Sequence, residues 1–127
     1  MEKISEVFVN RKTADLAKSK GFDLPVLYCY DEDEGELTSS YSKDVFSPLN
    51  YNTSSYKTSK PTQTLVIDWL LTKHKIYVNA VPLGDLTHWN FEVEYYNTQI
   101  RGKSPFYQSK HEALENGIQN ALTLIVT

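Results

Sequence analysis

Apolar residues on one face predict a helix near the middle of the chain, from about Thr62 to His74. Their spacing of i, i+1, i+4 and i+5 places them along one side of a helix, which is then the buried side. Pro61 suits the first helical position, because its missing N–H would have no partner inside the helix anyway. The residues at this spacing are Leu65, Val66, Trp69 and Leu70.

Strict alternation of apolar and polar residues predicts a half-buried strand over Trp89–Tyr96. Glu92 and Glu94 fall on its polar face and are expected to meet water. A preceding strand is predicted over Tyr77–Val81, and Ile100 with Phe106-Tyr107 can add a third, short strand. The apolar face of the long strand carries Trp89, Phe91, Val93 and Tyr95.

A last helix is predicted to begin at Ser109, because Ser109-Lys110-His111-Glu112 matches a capping box. In that motif the serine side chain accepts a hydrogen bond from the backbone N–H of the glutamate three residues later. The glutamate side chain in turn accepts one from the backbone N–H of the serine. Gly117 lies on the buried face of this helix, where it costs about 1 kcal/mol relative to alanine. Its presence there predicts a close approach of the helix to the sheet.

The N-terminal half is less regular. A short helix is predicted from Thr13 to Lys20, ending at Gly21 in the left-handed conformation. A strand is predicted over Val26–Tyr30, which is rich in aromatic and β-branched residues. Residues 37–60 are rich in Ser, Thr and Tyr and predict a long loop, and loops of such length are usually functional or mobile.

These elements predict one α+β domain over residues 1–127. A small antiparallel sheet of three or four strands would pack against the two main helices, with the short N-terminal helix and Val26–Tyr30 extending the sheet or covering one end. The expected core consists of Trp69, Leu70, Phe91, Val93, Leu114, Ile118 and Leu122.

Length and charge fit a soluble interaction domain better than a nucleic-acid binder. The 127 residues are 40% hydrophobic and 23% charged, with a formal net charge of −3. Neither half is basic: residues 1–60 hold ten acids and eight bases, and residues 61–127 hold six and five. Strong sequence-independent binding of nucleic acid draws on Lys and Arg that neutralise phosphates. The chain shows no signal-peptide pattern and no long apolar run, so a cytoplasmic location away from membranes is expected.

No catalytic, cofactor or metal motif is apparent. Cys29 lies in an apolar run and is expected to be a small core residue. The histidines at 74, 88 and 111 lack metal-ligand spacing to one another or to Cys29. A third candidate function is an enzyme that uses Asp85 and His88 as an acid–base pair, with or without a metal ion.

Three strings of residues resemble small uncharacterised proteins encoded in prophage or mobile-element regions of gut anaerobic bacteria, a family of unknown function. The resemblance spans most of the chain except residues 37–60, and it implies a phage-related, cytosolic α+β protein without naming an activity. The strings are Thr13–Phe22 with Leu27–Tyr30, Pro61–Gln63 with Trp69–His74, and Tyr107–Ile118.

The leading functional prediction is a non-enzymatic protein–protein interaction module. Nine tyrosines are present, and tyrosine is enriched among interface anchors, although lining a sheet accounts for about half of them. The aromatic residues of the long 37–60 segment are the predicted partner contacts: Tyr41, Phe46, Tyr51 and Tyr56. The sequence names no partner and no oligomeric state.

The alternative prediction is a nucleic-acid-binding module. The predicted order of helix, strands and helix resembles that of double-stranded-RNA-binding domains, and the helix start at Ser109-Lys110-His111 falls where that family carries basic residues. That family uses several lysines there to grip phosphates, whereas this chain has only Lys110. On this alternative, Arg101, Lys103 and Lys110 would be the phosphate contacts.

Overall fold

The protein has an α+β fold, as the hydrophobic pattern predicted. The computed structural model describes residues 7–31, 35–41, 48–84, 86–103 and 106–126, with the backbone alone for residues 31 and 35–41. These residues form three α-helices and two three-stranded antiparallel sheets. The chain divides into two compact units, Met1–Leu65 and Val66–Thr127. The prediction of a single domain over residues 1–127 stays a prediction.

The N-terminal unit combines helix α1 with a sheet of strand order β2-β1-β3. Helix α1 is capped by Asn10, whose side-chain oxygen accepts a hydrogen bond of 2.8 Å from the Thr13 N–H. Gly21 follows the helix with a φ of 90°, the left-handed conformation that the sequence predicted there. The elements are α1 (Arg11–Ser19), β1 (Tyr28–Asp31), β2 (Gly35–Tyr41), a 3-10 helix (Tyr51–Thr53) and β3 (Lys57–Ser59).

The prediction of a loop over residues 37–60 was wrong, because both outer strands of this sheet lie largely within it. Cys29 of the central strand pairs with Ser40 on one side and with Ser59 on the other. Residues 42–47 lie outside the described residues. Val26–Tyr30 was expected to extend the sheet of the C-terminal half or to cover one end of it. The first of these alternatives was wrong, since β1 is the central strand of a separate sheet.

Helix α2 begins one residue later than predicted. The Thr62 hydroxyl accepts a hydrogen bond of 3.1 Å from the Leu65 N–H, which is the contact of an N-cap residue. Pro61 therefore precedes the cap and does not occupy the first helical position. The helix spans Gln63–His74 and ends at the predicted residue.

The sheet of the C-terminal unit has the strand order β4-β5-β6. Its strands are β4 (Ile76–Pro82), β5 (Trp89–Tyr95) and β6 (Thr98–Arg101), and helix α3 spans Lys110–Thr123. The pairing of Tyr95 with Thr98 closes a two-residue hairpin, in which Tyr96 has a φ of 56°. The predicted third strand is divided: Ile100 lies in β6, while Tyr107 exchanges two backbone hydrogen bonds with Trp89.

Helix α3 packs closely on β4 and β5, as Gly117 predicted. A Cβ atom at this position would lie 2.9 Å from the Phe91 Cβ and 3.0 Å from the Val78 Cγ1. The Ser109 hydroxyl accepts a hydrogen bond of 3.1 Å from the Glu112 N–H, which confirms the predicted N-cap. Six of the seven predicted core residues are buried, and Leu114 is half-buried because Ala113 and Gly117 take the face toward the sheet.

An aromatic groove in the N-terminal unit

A largely apolar concave surface with a volume of about 260 Å³ lies in the N-terminal unit. We call it the aromatic groove. Three separate segments of the chain form it. They are the chain before helix α1, the residues that lead into β1, and the residues from the end of β3 to the first turn of helix α2. Its lining consists of Phe8, Val26, Leu27, Tyr28, Lys60, Pro61, Thr62 and Leu65.

Backbone pairing of residues 7–9 with residues 61–63 places Phe8 beside the start of helix α2. The Val9 N–H donates to the Pro61 carbonyl at 3.0 Å, and the Gln63 N–H donates to the Val7 carbonyl at 2.8 Å. Phe8 and Thr62 lie opposite each other between these two bonds. The Pro61–Gln63 string, which sequence analysis singled out, therefore shapes one wall of the groove.

A second wall comes from the chain leading into β1. The Lys60 N–H donates to the Tyr28 carbonyl at 2.9 Å, which joins the two walls. Val26 exchanges two backbone hydrogen bonds with Leu49, of 2.8 and 2.9 Å. The Leu27 and Leu49 side chains remain 36% and 50% exposed, so apolar surface continues to the edge of this wall.

Two aromatic rings lie near the Lys60 ammonium group, those of Phe8 in the groove lining and of Tyr30 beside it. Its Nζ lies 5.0 Å from the Phe8 ring centroid and 5.3 Å from the Tyr30 ring centroid, both within cation–π range. The Phe8 ring meets the Tyr28 ring edge-on at a centroid distance of 5.5 Å. Tyr30 is itself fixed, since its hydroxyl donates to the Val9 carbonyl at 2.7 Å. Lys60 is the single charged residue in the lining.

Two of the four aromatic residues predicted to contact a partner, Tyr51 and Tyr56, do not line this groove. Tyr51 is buried, and its hydroxyl donates to the Leu27 carbonyl at 3.4 Å. Tyr56 is 68% exposed. Tyr41 pairs with Tyr28 through the backbone of β2, and Phe46 lies outside the described residues.

Tyr56 lines a second, more polar concavity of about 560 Å³ beside helix α1. Its charged groups already have partners. The Lys18 ammonium donates to the carbonyls of Ser54 and Lys57, both at 2.8 Å. Arg11 pairs with Asp15 at 3.3 Å. The two Lys18 contacts join α1 to the chain entering β3.

The predicted phosphate contacts Arg101, Lys103 and Lys110 are all exposed. Arg101 forms an ion pair with Glu92 at 3.0 Å, on the face of the sheet that also carries Glu94. Its guanidinium also donates to the Gln99 side chain at 3.3 Å. The positive charge of Arg101 is therefore offset by carboxylates on the same surface.

Only one of the two residues predicted as an acid–base pair lies within the described residues. Asp85 lies outside the described residues, and His88 is exposed with its Nδ1 hydrogen-bonded to the Thr87 hydroxyl at 2.9 Å. Cys29 is fully buried, as predicted. Across the described ranges, no group of three or more His, Cys, Asp or Glu side chains is arranged to hold a metal ion. The helices described here are also too short or too polar to cross a membrane.

Sequence reasoning missed the groove because its lining comes from positions far apart in the chain. Phe8, Leu27 and Lys60 carry no shared motif, and only the Pro61–Gln63 string marked part of the site. Comparisons of the chain with protein-family models, with curated proteins and with solved structures find no match. The functional argument therefore rests on the geometry of the groove.

Proposed function

We propose that this protein is a small non-enzymatic interaction module of phage or mobile-element origin, which acts in the cytoplasm by binding a protein partner through the aromatic groove. The observation that carries the proposal is the groove itself, an open apolar concavity with aromatic walls and partly exposed leucines at its edge. A concavity with apolar walls can receive an anchoring side chain of a partner protein.

The size of the groove favours a protein partner over a small-molecule substrate. Pockets that bury a whole ligand usually have volumes of roughly 300–1,000 Å³. The groove, at about 260 Å³, falls below this range. It suits one or two side chains from a partner, whose remaining surface would cover Leu27 and Leu49. Aromatic anchors in such a pocket supply much of the binding energy of an interface.

Capture of partners with matched variants tests this proposal. Leu27→Glu places a charge at the groove, while Leu71→Glu makes the same change at an exposed leucine of helix α2. We expect the wild type and Leu71→Glu to retain a partner from cells that carry the gene, and Leu27→Glu to lose it. The purified partner should then show the same order of affinities in calorimetry. Equal binding by all three proteins would contradict the proposal.

A second candidate function is the binding of duplex RNA by the C-terminal part of the chain. The observed order α2-β4-β5-β6-α3 supports it, because it is the order that resembles double-stranded-RNA-binding domains. The ion pair of Arg101 with Glu92 weighs against it. Micromolar binding of duplex RNA that weakens steeply with salt, and that falls in Lys103→Ala and Lys110→Ala, would favour this candidate. The leading proposal expects no such binding.

A further inference from the structure

We propose that the partner segment which enters the aromatic groove is acidic as well as apolar: an aromatic or aliphatic side chain fills the groove, and a neighbouring carboxylate meets the Lys60 ammonium group. This inference rests on the proposed function and specifies the chemistry of the partner.

The lining offers one positive charge and no negative charge. Seven of its eight residues are uncharged, and the eighth is Lys60. Among the described side chains, no carboxylate forms an ion pair with Lys60. A partner carboxylate would therefore add a charge-assisted hydrogen bond without displacing an ion pair described in this unit. A partner lysine or arginine in the same place would be repelled.

The rings of Phe8 and Tyr30 hold the Lys60 ammonium where such a contact can form. Both ring faces attract the cation, which restricts the otherwise flexible lysine side chain. These rings carry no formal charge, so the ammonium keeps its full positive charge for a ligand. Burial beside apolar walls also reduces screening by water, so a carboxylate here would interact more strongly than at an open surface.

The apolar group of the ligand would contact the groove walls next to Lys60. Phe8 and Tyr28 supply aromatic surface, and Pro61 and Leu65 supply aliphatic surface. A ligand that reaches both parts must carry its carboxylate a short distance from an apolar group. A peptide with Asp or Glu beside Phe, Tyr or Leu has this arrangement.

Three small probes of one shape and different charge test the inference. They are 3-phenylpropanoate, 3-phenylpropan-1-ol and 3-phenylpropylammonium, each titrated into the ¹⁵N-labelled full chain while backbone amide shifts are followed. We expect shifts at groove residues such as Phe8 and Leu65, with the anion binding roughly tenfold tighter than the cation and the alcohol in between.

Variants of Lys60 show whether this residue causes the preference. Lys60→Met keeps an apolar stem and should bind the anion no better than the alcohol, while Lys60→Arg should retain the preference for the anion. Lys12→Met removes an exposed lysine of helix α1 and should change nothing. Thermal unfolding of each variant identifies any loss of fold, and the Lys60→Arg result keeps the test informative if Lys60→Met does not fold.

Two outcomes would overturn the inference. If the three probes bind the groove equally, or if the anion preference survives in Lys60→Met, then Lys60 does not select a carboxylate, although the groove can still bind an apolar partner. If the amide shifts lie outside the groove, recognition of the probes occurs elsewhere. Failure of the proposed function itself is recognised separately, by equal capture of the partner by wild type and Leu27→Glu.

Discussion

Gly117 shows at the level of one residue how closely helix α3 lies on its sheet. Alanine favours a helix over glycine by about 1 kcal/mol, so propensity alone would make Gly117→Ala stabilising. Its Cβ would instead meet the Phe91 Cβ at 2.9 Å, an atom near the backbone that cannot turn away. The prediction from the sequence, that Gly117 allows a close approach of the helix to the sheet, is therefore confirmed.

We expect Gly117→Ala to lower the free energy of unfolding by roughly 1–3 kcal/mol, the usual cost of overpacking a core. Gly84→Ala is the matched control, because no atom lies within 4 Å of a Cβ placed there. Urea unfolding of the two variants beside the wild type measures the difference. Equal stability of the two variants would show that α3 shifts freely on the sheet.

His74 gives the C-terminal unit a dependence on pH. Its ring meets the Trp69 ring at a centroid distance of 4.8 Å, and its Nε2 is a buried atom without a hydrogen-bond partner among the described residues. Burial lowers the pKa of His74 below its ordinary value of 6.5, and the charge of Lys73 lowers it further. The folded protein therefore disfavours the imidazolium form.

Stability should consequently fall as the pH falls. Between the ordinary pKa of 6.5 and the lower pKa of folded His74, the unfolded chain binds more protons than the folded one. We expect the free energy of unfolding to decrease from about pH 8 to pH 5, and this decrease to be smaller in His74→Gln. His88→Gln, at an exposed histidine, should follow the wild type. Parallel curves for wild type and His74→Gln would refute the role of His74.

At the level of elements, Lys18 connects helix α1 to the chain that enters β3. Its ammonium donates to two carbonyl groups, and hydrogen bonds to charged groups are each worth about 1.5–3 kcal/mol. We expect Lys18→Met to lower the free energy of unfolding by roughly 2 kcal/mol and to speed amide exchange in β3. Lys12→Met, on an exposed position of the same helix, should be nearly neutral. Unchanged exchange in β3 after Lys18→Met would contradict this role.

The accuracy of the sequence-based prediction differs between the elements for a physical reason. Helix α3 and strand β5 were found from local signals, a serine cap and a strict alternation, which do not depend on distant residues. Strand β3 escaped prediction because Thr58 and Ser59 are small polar residues whose burial comes from pairing with β1. Such nonlocal pairing leaves little pattern in the strand itself.

The same distinction applies to the candidate site. The aromatic richness of the chain predicted an interaction surface, but the sequence placed it in residues 37–60. Most residues that line the groove lie outside this segment, such as Phe8, Leu27, Tyr28 and Leu65, whereas Lys60 is its last residue. Neither the short backbone pairing of Phe8 with Thr62 nor the approach of Lys60 to two rings is encoded by a spacing along the chain. A contact map is needed to find such a site.

For the molecule as a whole, the two compact units have different surfaces. The N-terminal unit carries the aromatic groove with a single cation in its lining. In the C-terminal unit, the sheet face that holds Arg101 also holds Glu92 and Glu94. The proposed function therefore assigns partner binding to the first unit, and the RNA-binding alternative would assign it to the second.

Amide hydrogen exchange of the captured complex distinguishes these assignments most directly. Exchange is compared, residue by residue, between the protein alone and the protein bound to its purified partner. We expect slower exchange in the segments that form the groove, at Phe8 and in residues 26–28 and 60–65, with no change around Arg101 and Lys110. Protection confined to the residues around Arg101 and Lys110, with the groove segments unchanged, would contradict the proposed function.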